Sequence, residues 1–355
     1  MLGGAANTFS DVPLASFILI ALVRSTGSNR SLFPVPNTVL RPASENSHQP
    51  MNLLKSNFRA ALLLLAVLSL FCVRPAFGAD AAGTVHTNWP FDATEAARRQ
   101  TEIAQALKLP VVQQTSLAGE DRPTLTWRLI PAGKFMMGSP ATENGHEGDE
   151  RLRAETIADP FYMMETQLTV EQYRALMQSE PSDVGEDHDP KMPAGILYRD
   201  TVDKVLPALA KLAPAGWKVI LPDAARMEYA ARAGLATMNP GGDKTENAAP
   251  FAWSRENSGG KVHPVAQKTP NAWGLHDVIG NRWHWFWRAG AGYGDASTDD
   301  HIVYGGHARS ESGGNGVRLA NIMISKRPEG ARFALIRADA PLPKGHPETT
   351  DKSLA

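Results

Sequence analysis

Residues 264–287 read PVAQKTPNAWGLHDVIGNRWHWFW, and the last seven decide how the chain is laid out. Trp283, Trp285 and Trp287 alternate, the period of a strand with one buried face. Large aromatics favour the interior, so Trp283 and Trp285 are expected to pack the core. The opposite face carries Arg282, His284 and Phe286, a trio expected to meet a loop or cleft rather than bulk core.

Upstream the texture is more regular. TEAARRQTEIAQALK (94–108) has helical spacing, and LTWRLIPAGKFMMGS gives two strand-like pieces around Pro131-Ala132-Gly133. ATENGHEGDERLRAE is a charged loop, where Glu143, Glu147, Asp149 and Glu150 are expected to serve solvation and local capping. PFYMMET resumes a strand, and Thr169 with Gln172 makes a capping box that opens TVEQYRALMQ. Residues 200–213 read as a helix that Pro207 should kink or end. WKVILP is a strand, followed by a helix with Asp223 as its N-cap and Gly234 as its stop. Beyond it, short strands at 283–287, 301–306 and 332–337 are joined by long loops rich in Gly, Asn and Pro. Few helices, short strands and long loops indicate an α+β domain.

The N-terminal part carries an export signal. Lys55 and Arg59 precede an uncharged apolar run, Ala60 to Val73, and Ala76-Phe77-Gly78 offers small residues for cleavage. That run is shorter than the roughly 20 residues a membrane helix needs. The expected layout is therefore a mis-assigned or disordered leader (1–50), a signal peptide (51–78), an N-terminal helical extension (79–122), the main domain (123–338) and a flexible tail (339–355). A periplasmic or secreted product follows. The single cysteine, Cys72, falls inside the signal, so the exported part has no thiol. A formal net charge of −1 without a basic stripe argues against nucleic acid as a partner.

Five stretches occur in a telling order: AGKFMMGS (132–139), PFYMMETQLTVEQYRALM (160–177), LPDAARMEYAARAG (221–234), the opening 264–287 stretch, and VYGGHARS (303–310). Together they resemble the successive motifs of the formylglycine-generating enzyme, or sulfatase-modifying factor, family. The resemblance implies a variant C-type-lectin-like fold. It also implies a site just beyond Gly305-Gly306, where family enzymes hold copper on two cysteines and oxidise a substrate cysteine.

Here the chain departs from that pattern. HARSESGGNG (307–316) follows, and residues near Ser310 and Asn315 stand where the thiols would fall. Hydroxyl and amide do not replace the soft thiolate that selects Cu(I), so copper is not expected. His284 stands where the family motif has Glu, near a calcium region, which leaves Asn281 as a weakened calcium candidate. By position, the available acid–base groups are His307 and Glu311, with His284, Arg309, Ser310 and Asn315 as ligand-binding candidates. The competing reading makes 307–316 only a polar, glycine-turned loop. Arg318, Arg327 and Arg332 are expected to be structural, pairing with carboxylates or carbonyls.

Two functions remain open on these residues. One is an exported binding or accessory module taking an unidentified protein or small-molecule ligand. The alternative is a thiol-independent oxidoreductase of the pyoverdine-maturation type, or a sulfatase-activating protein.

Overall fold

Asp92 starts the first helix by accepting from the Glu95 amide at 2.9 Å, and α1 runs over Ala93–Leu107. The computed structural model describes residues 84–118, 123–287, 301–312, 316–343 and 346, so the expected leader and signal peptide lie outside the described residues. Then follow β1 (Val112–Ser116), β2 (Thr124–Ile130), β3 (Gly133–Met137), β4 (Arg153–Ile157) and β5 (Phe161–Met164). The capping box forms: Thr169 accepts from the Gln172 amide, the Gln172 side chain accepts from the Thr169 amide, and α2 spans Val170–Met177.

The helix expected to break near Pro207 continues instead, by widening. It consists of α3 (Tyr198–Asp200), a π turn (Thr201–Val205) and α4 (Leu206–Ala210). A proline inside an α-helix clashes with the carbonyl four residues back, and the wider turn just before Pro207 gives that carbonyl room. β6 (Trp217–Ile220) leads to α5 (Ala224–Arg232), where the Asp223 side chain accepts from the Arg226 amide at 2.8 Å. The chain leaves α5 through Ala233 and then Gly234 at φ +100°, a conformation glycine adopts without strain. The remaining elements are α6 (Arg255–Ser258), β7 (His284–Trp285), β8 (His301–Tyr304), β9 (Ile322–Ser325), β10 (Gly330–Ala331) and β11 (Ala334–Arg337).

A five-stranded sheet, ordered β1-β2-β5-β11-β6, divides two apolar cores. Alternation along each strand distributes its side chains between them. Leu125, Trp127, Leu129, Tyr162, Met164, Val219 and Leu335 point into one core. Ile130, Phe161, Met163, Ile220, Ala334 and Ile336 point into the other. A sheet covered on both faces explains why Phe161–Met164 is apolar at every position. A four-stranded sheet, β10-β7-β8-β9, and a two-stranded ribbon, β3-β4, complete the fold.

Several expectations change here. The regular strand expected over 283–287 is reduced to His284–Trp285. Trp283 and Trp285 enter the first core as expected. Their neighbours are buried too: Phe286 (2% exposed) enters the second core, His284 (0%) is interior, and Arg282 (2%) is covered by Asp183 and the Pro328 carbonyl. Within the expected 79–122 extension, the described residues 84–118 pack into the main cores. Ile103, Ala104 and Leu107 belong to the first core, Ala96 belongs to the second, and β1 pairs in register with β2. The expected loose tail is docked at His346, which is buried and has its Nε2 3.0 Å from the Leu221 carbonyl. Finally, β4 begins in the last residues of the expected charged loop, at Arg153, and runs on to Ile157 as one arm of a half-exposed ribbon.

Candidate functional site

Gly305 and Gly306 turn the chain out of β8 at φ +93° and +91°. A Cβ on Gly305 would lie 2.9 Å from the Val278 carbonyl oxygen, and one on Gly306 would lie 2.9 Å from the Val317 Cα, so no larger residue fits without movement. The loop after them is laced to the turn before β7. Gly280 N donates to Gly305 O at 2.9 Å, and Ala308 N donates to Asn281 O at 2.7 Å.

His307 is half-buried in this loop. Its Nδ1 accepts from the Arg309 amide at 3.1 Å, so in the neutral ring the hydrogen sits on Nε2. Burial, and then the charges of Arg282, Arg309 and Arg327, push its pKa down to about 4, against the opposing pull of Asp183. At neutral pH it is therefore an uncharged hydrogen-bond donor. Ser310 closes the turn: its hydroxyl accepts from the His307 amide at 3.3 Å and its own amide donates to His307 O at 2.8 Å. Arg309 is exposed and donates to Gly260 O at 2.8 Å and to Glu186 at 3.2 Å.

Glu311 is not joined to His307 by a hydrogen bond. It is 66% exposed and paired at 2.6 Å with Arg255, itself 60% exposed. The paired acid–base arrangement expected of His307 and Glu311 does not form, because the turn directs the carboxylate outward to α6. Asn315 lies outside the described residues.

Two other expected site residues are occupied by the fold. His284 Nε2 donates to Asp277 O at 2.8 Å, and its Nδ1 lies 3.3 Å from the Gln167 side-chain amide. Burial and the nearby Arg332 hold its pKa well below the ordinary imidazole range. It is a neutral interior bridge, which corrects its reading as a ligand-binding group. Asn281, at φ +57°, accepts from the His263 amide at 2.9 Å and donates back to His263 O at 3.0 Å. Its side chain thereby pins two loops together.

The acidic loop is also not merely solvated. Glu143 and Glu150 close around Arg318, at 2.7 Å and 2.6 Å, with side-chain exposures of 7%, 2% and 0%. Ser139 joins them, donating to Glu150 at 2.7 Å. Arg332 instead donates to the carbonyls of Met164 and Glu165, at 2.6 Å and 2.7 Å. Both arginines are structural, as expected.

What faces His307 comes from distant parts of the chain. Arg282 Nη1 donates to Asp183 Oδ2 at 2.9 Å and to the Pro328 carbonyl at 3.0 Å. Next to Pro328, Glu329 is 4% exposed and accepts from the Ser325 hydroxyl at 2.8 Å. Burial raises its pKa to about 7, with Ser325, Arg282 and Arg327 pulling the other way. Arg282 was expected to meet a loop or cleft, but Asp183, Ser325 and Glu329 were not picked out in sequence. Each sits in an ordinary polar stretch, and only the pairing of Ile196 with Glu329 and of Asp183 with Gly195 brings them together.

The fold and this geometry can be set beside known proteins. A family model for the sulfatase-modifying factor enzyme 1-like domain matches residues 114–323, more than half of the chain. Among solved structures, the Treponema denticola variable protein 1 is similar at 20% identity and a TM-score of 0.51, covering 63% of this chain and 99% of that one. PvdO from Pseudomonas aeruginosa is similar at 24% identity and a TM-score of 0.49, covering 63% and 98%. No curated protein sequence matches. The likeness to the Treponema protein gives the fold, an α+β domain of the C-type-lectin-like kind with few helices and short strands. From the family match over 114–323, this chain belongs to the sulfatase-modifying factor enzyme 1-like family.

Proposed function

We propose that the chain is an exported binding or accessory module of this family, with its ligand seated against the 305–312 loop. The observation that carries this reading is the chemistry of that loop. Its described side chains offer a neutral imidazole, hydroxyls, an arginine and a solvent-paired carboxylate, but no thiolate, and the one cysteine of the chain is Cys72. These donors are suited to holding a ligand by hydrogen bonds and charge. They do not fit Cu(I), which needs soft ligands. Calcium through the Asn281 side chain is disfavoured as well, since its polar atoms are committed to His263. Among the described residues no helix is long and apolar enough to cross a membrane.

A second reading, a thiol-independent enzyme, is favoured by Glu329, because a half-ionised buried carboxyl is what general acid–base catalysis uses. The two separate on turnover: a module gives none, whereas any turnover by a thiol-independent enzyme using Glu329 is lost in Glu329→Gln, and copper-dependent peptide oxidation is assayed beside it. Protein incubated aerobically with copper and a cysteine-containing peptide is expected to form no aldehyde beyond that of a protein-free control, by mass spectrometry. Conversion of that cysteine to an aldehyde would refute the module reading.

A further inference from the structure

Arg282 stands between two carboxyl groups of unequal burial. It holds Asp183 at 2.9 Å, and its bond to Pro328 O sets it beside Glu329. Its Nε is buried without a hydrogen-bond partner. Asp183 is 46% exposed on its side chain, whereas Glu329 is 4% exposed. Water already screens the first carboxylate and cannot reach the second, so an ionised Glu329 has the greater need of the guanidinium.

Asp183 belongs to a loop that meets the 305–312 loop through Glu186 and Arg309. Its backbone pairs both ways with Gly195, at 3.0 Å and 2.8 Å. Gly195 allows the close approach: a Cβ there would lie 2.6 Å from Arg282 Nη1 and 2.7 Å from Asp183 Cβ. Three residues on, Glu186 reaches Arg309 at 3.2 Å and Lys261 at 3.4 Å. Those outer pairs are solvent-exposed and weak. The tether with one end buried is Asp183–Arg282.

We propose that Glu329 is a proton-controlled latch between these two loops: neutral, it leaves Arg282 to hold Asp183 and the 183–189 loop beside the 305–312 loop; ionised, it draws Arg282 inward and loosens that loop. The latch regulates the ligand site of the preceding section and rests on that reading, although its motion can be read without any ligand. The groups facing Glu329 are Arg282, Arg327, Asp183 and the Ser325 hydroxyl. Burial raises Asp183, but Arg282 and the Gly185 amide more than offset this and hold it below the ordinary range. His307 titrates at about 4, so between pH 5.5 and 8.5 Glu329 is the member of the cluster that changes charge. Exposed His188 lies on the loop itself and calls for a control.

The test is backbone hydrogen exchange over 183–195 in the mature chain, between about pH 5.5 and 8.5, corrected for the intrinsic chemical rate. Exchange is expected to rise about tenfold with a midpoint near 7, the effect of one pKa unit of coupling. Glu329→Gln should stay slow at both ends. Ser325→Ala, which removes a hydrogen bond favouring the carboxylate, should move the midpoint upward, and His188→Asn should keep the response. Exchange that is independent of pH in the unmodified chain overturns the latch, as does a response that persists in Glu329→Gln. If Glu329→Gln does not fold, a midpoint unmoved by Ser325→Ala overturns it instead. A failure of the binding-module reading would appear as peptide turnover and would leave these exchange rates unaltered.

Discussion

Trp285→Ala is expected to lower the unfolding free energy by about 3–5 kcal/mol, the range for emptying a buried aromatic site. The ring is 1% exposed, packs at 5.4 Å from Tyr198, and its Nε1 donates to Ile196 O at 2.7 Å. The informative partner is His284→Ala on the opposite face. Were that face a cleft wall, the loss would be small. With His284 bridging Asp277 and Gln167 in the interior, removal leaves buried polar groups short of partners, and a loss of about 2–4 kcal/mol is expected. Urea unfolding at constant m-value compares the two. A stable His284→Ala beside an unstable Trp285→Ala would return that face to the site.

Arg318→Ala is expected to be as damaging, by about 3–5 kcal/mol, because it strands two buried carboxylates. Glu143 and Glu150 meet the guanidinium at 2.7 Å and 2.6 Å, and Arg318 also donates to Gly145 O at 2.6 Å. Thermal unfolding of both forms at neutral pH measures the loss. A variant as stable as the parent at neutral pH would mean that the cluster contributes nothing net.

What could be read from the residues was mostly local. Thr169 with Gln172, and Asp223 before α5, place helix starts because a cap is a matter of three neighbouring residues. The apolar run Phe161–Met164 marks a strand for a similar reason. The errors share a different cause. Alternation at 283–287 identifies two faces but not what covers the second, and a second core made by residues such as Phe161, Met227 and Trp273 is invisible there. Likewise β4 is a half-exposed ribbon, so its charges mask the strand. At the site, Gly305-Gly306 locates the loop, yet its Glu311 turns outward to Arg255 while Glu329, from another segment, is the buried carboxyl. The difference depends on Ile196 pairing with Glu329 and on Arg255 reaching Glu311, contacts between segments far apart in sequence.

This chain belongs to the sulfatase-modifying factor enzyme 1-like family, and we propose that it works without the thiol–copper centre. A Cu(I) competition titration of the purified mature chain, against a chelator of known affinity, tests it most directly. Binding no tighter than that of an unrelated histidine-bearing protein is the predicted result. A stoichiometric, tight Cu(I) site, lost when His307 or Ser310 is replaced, would contradict it.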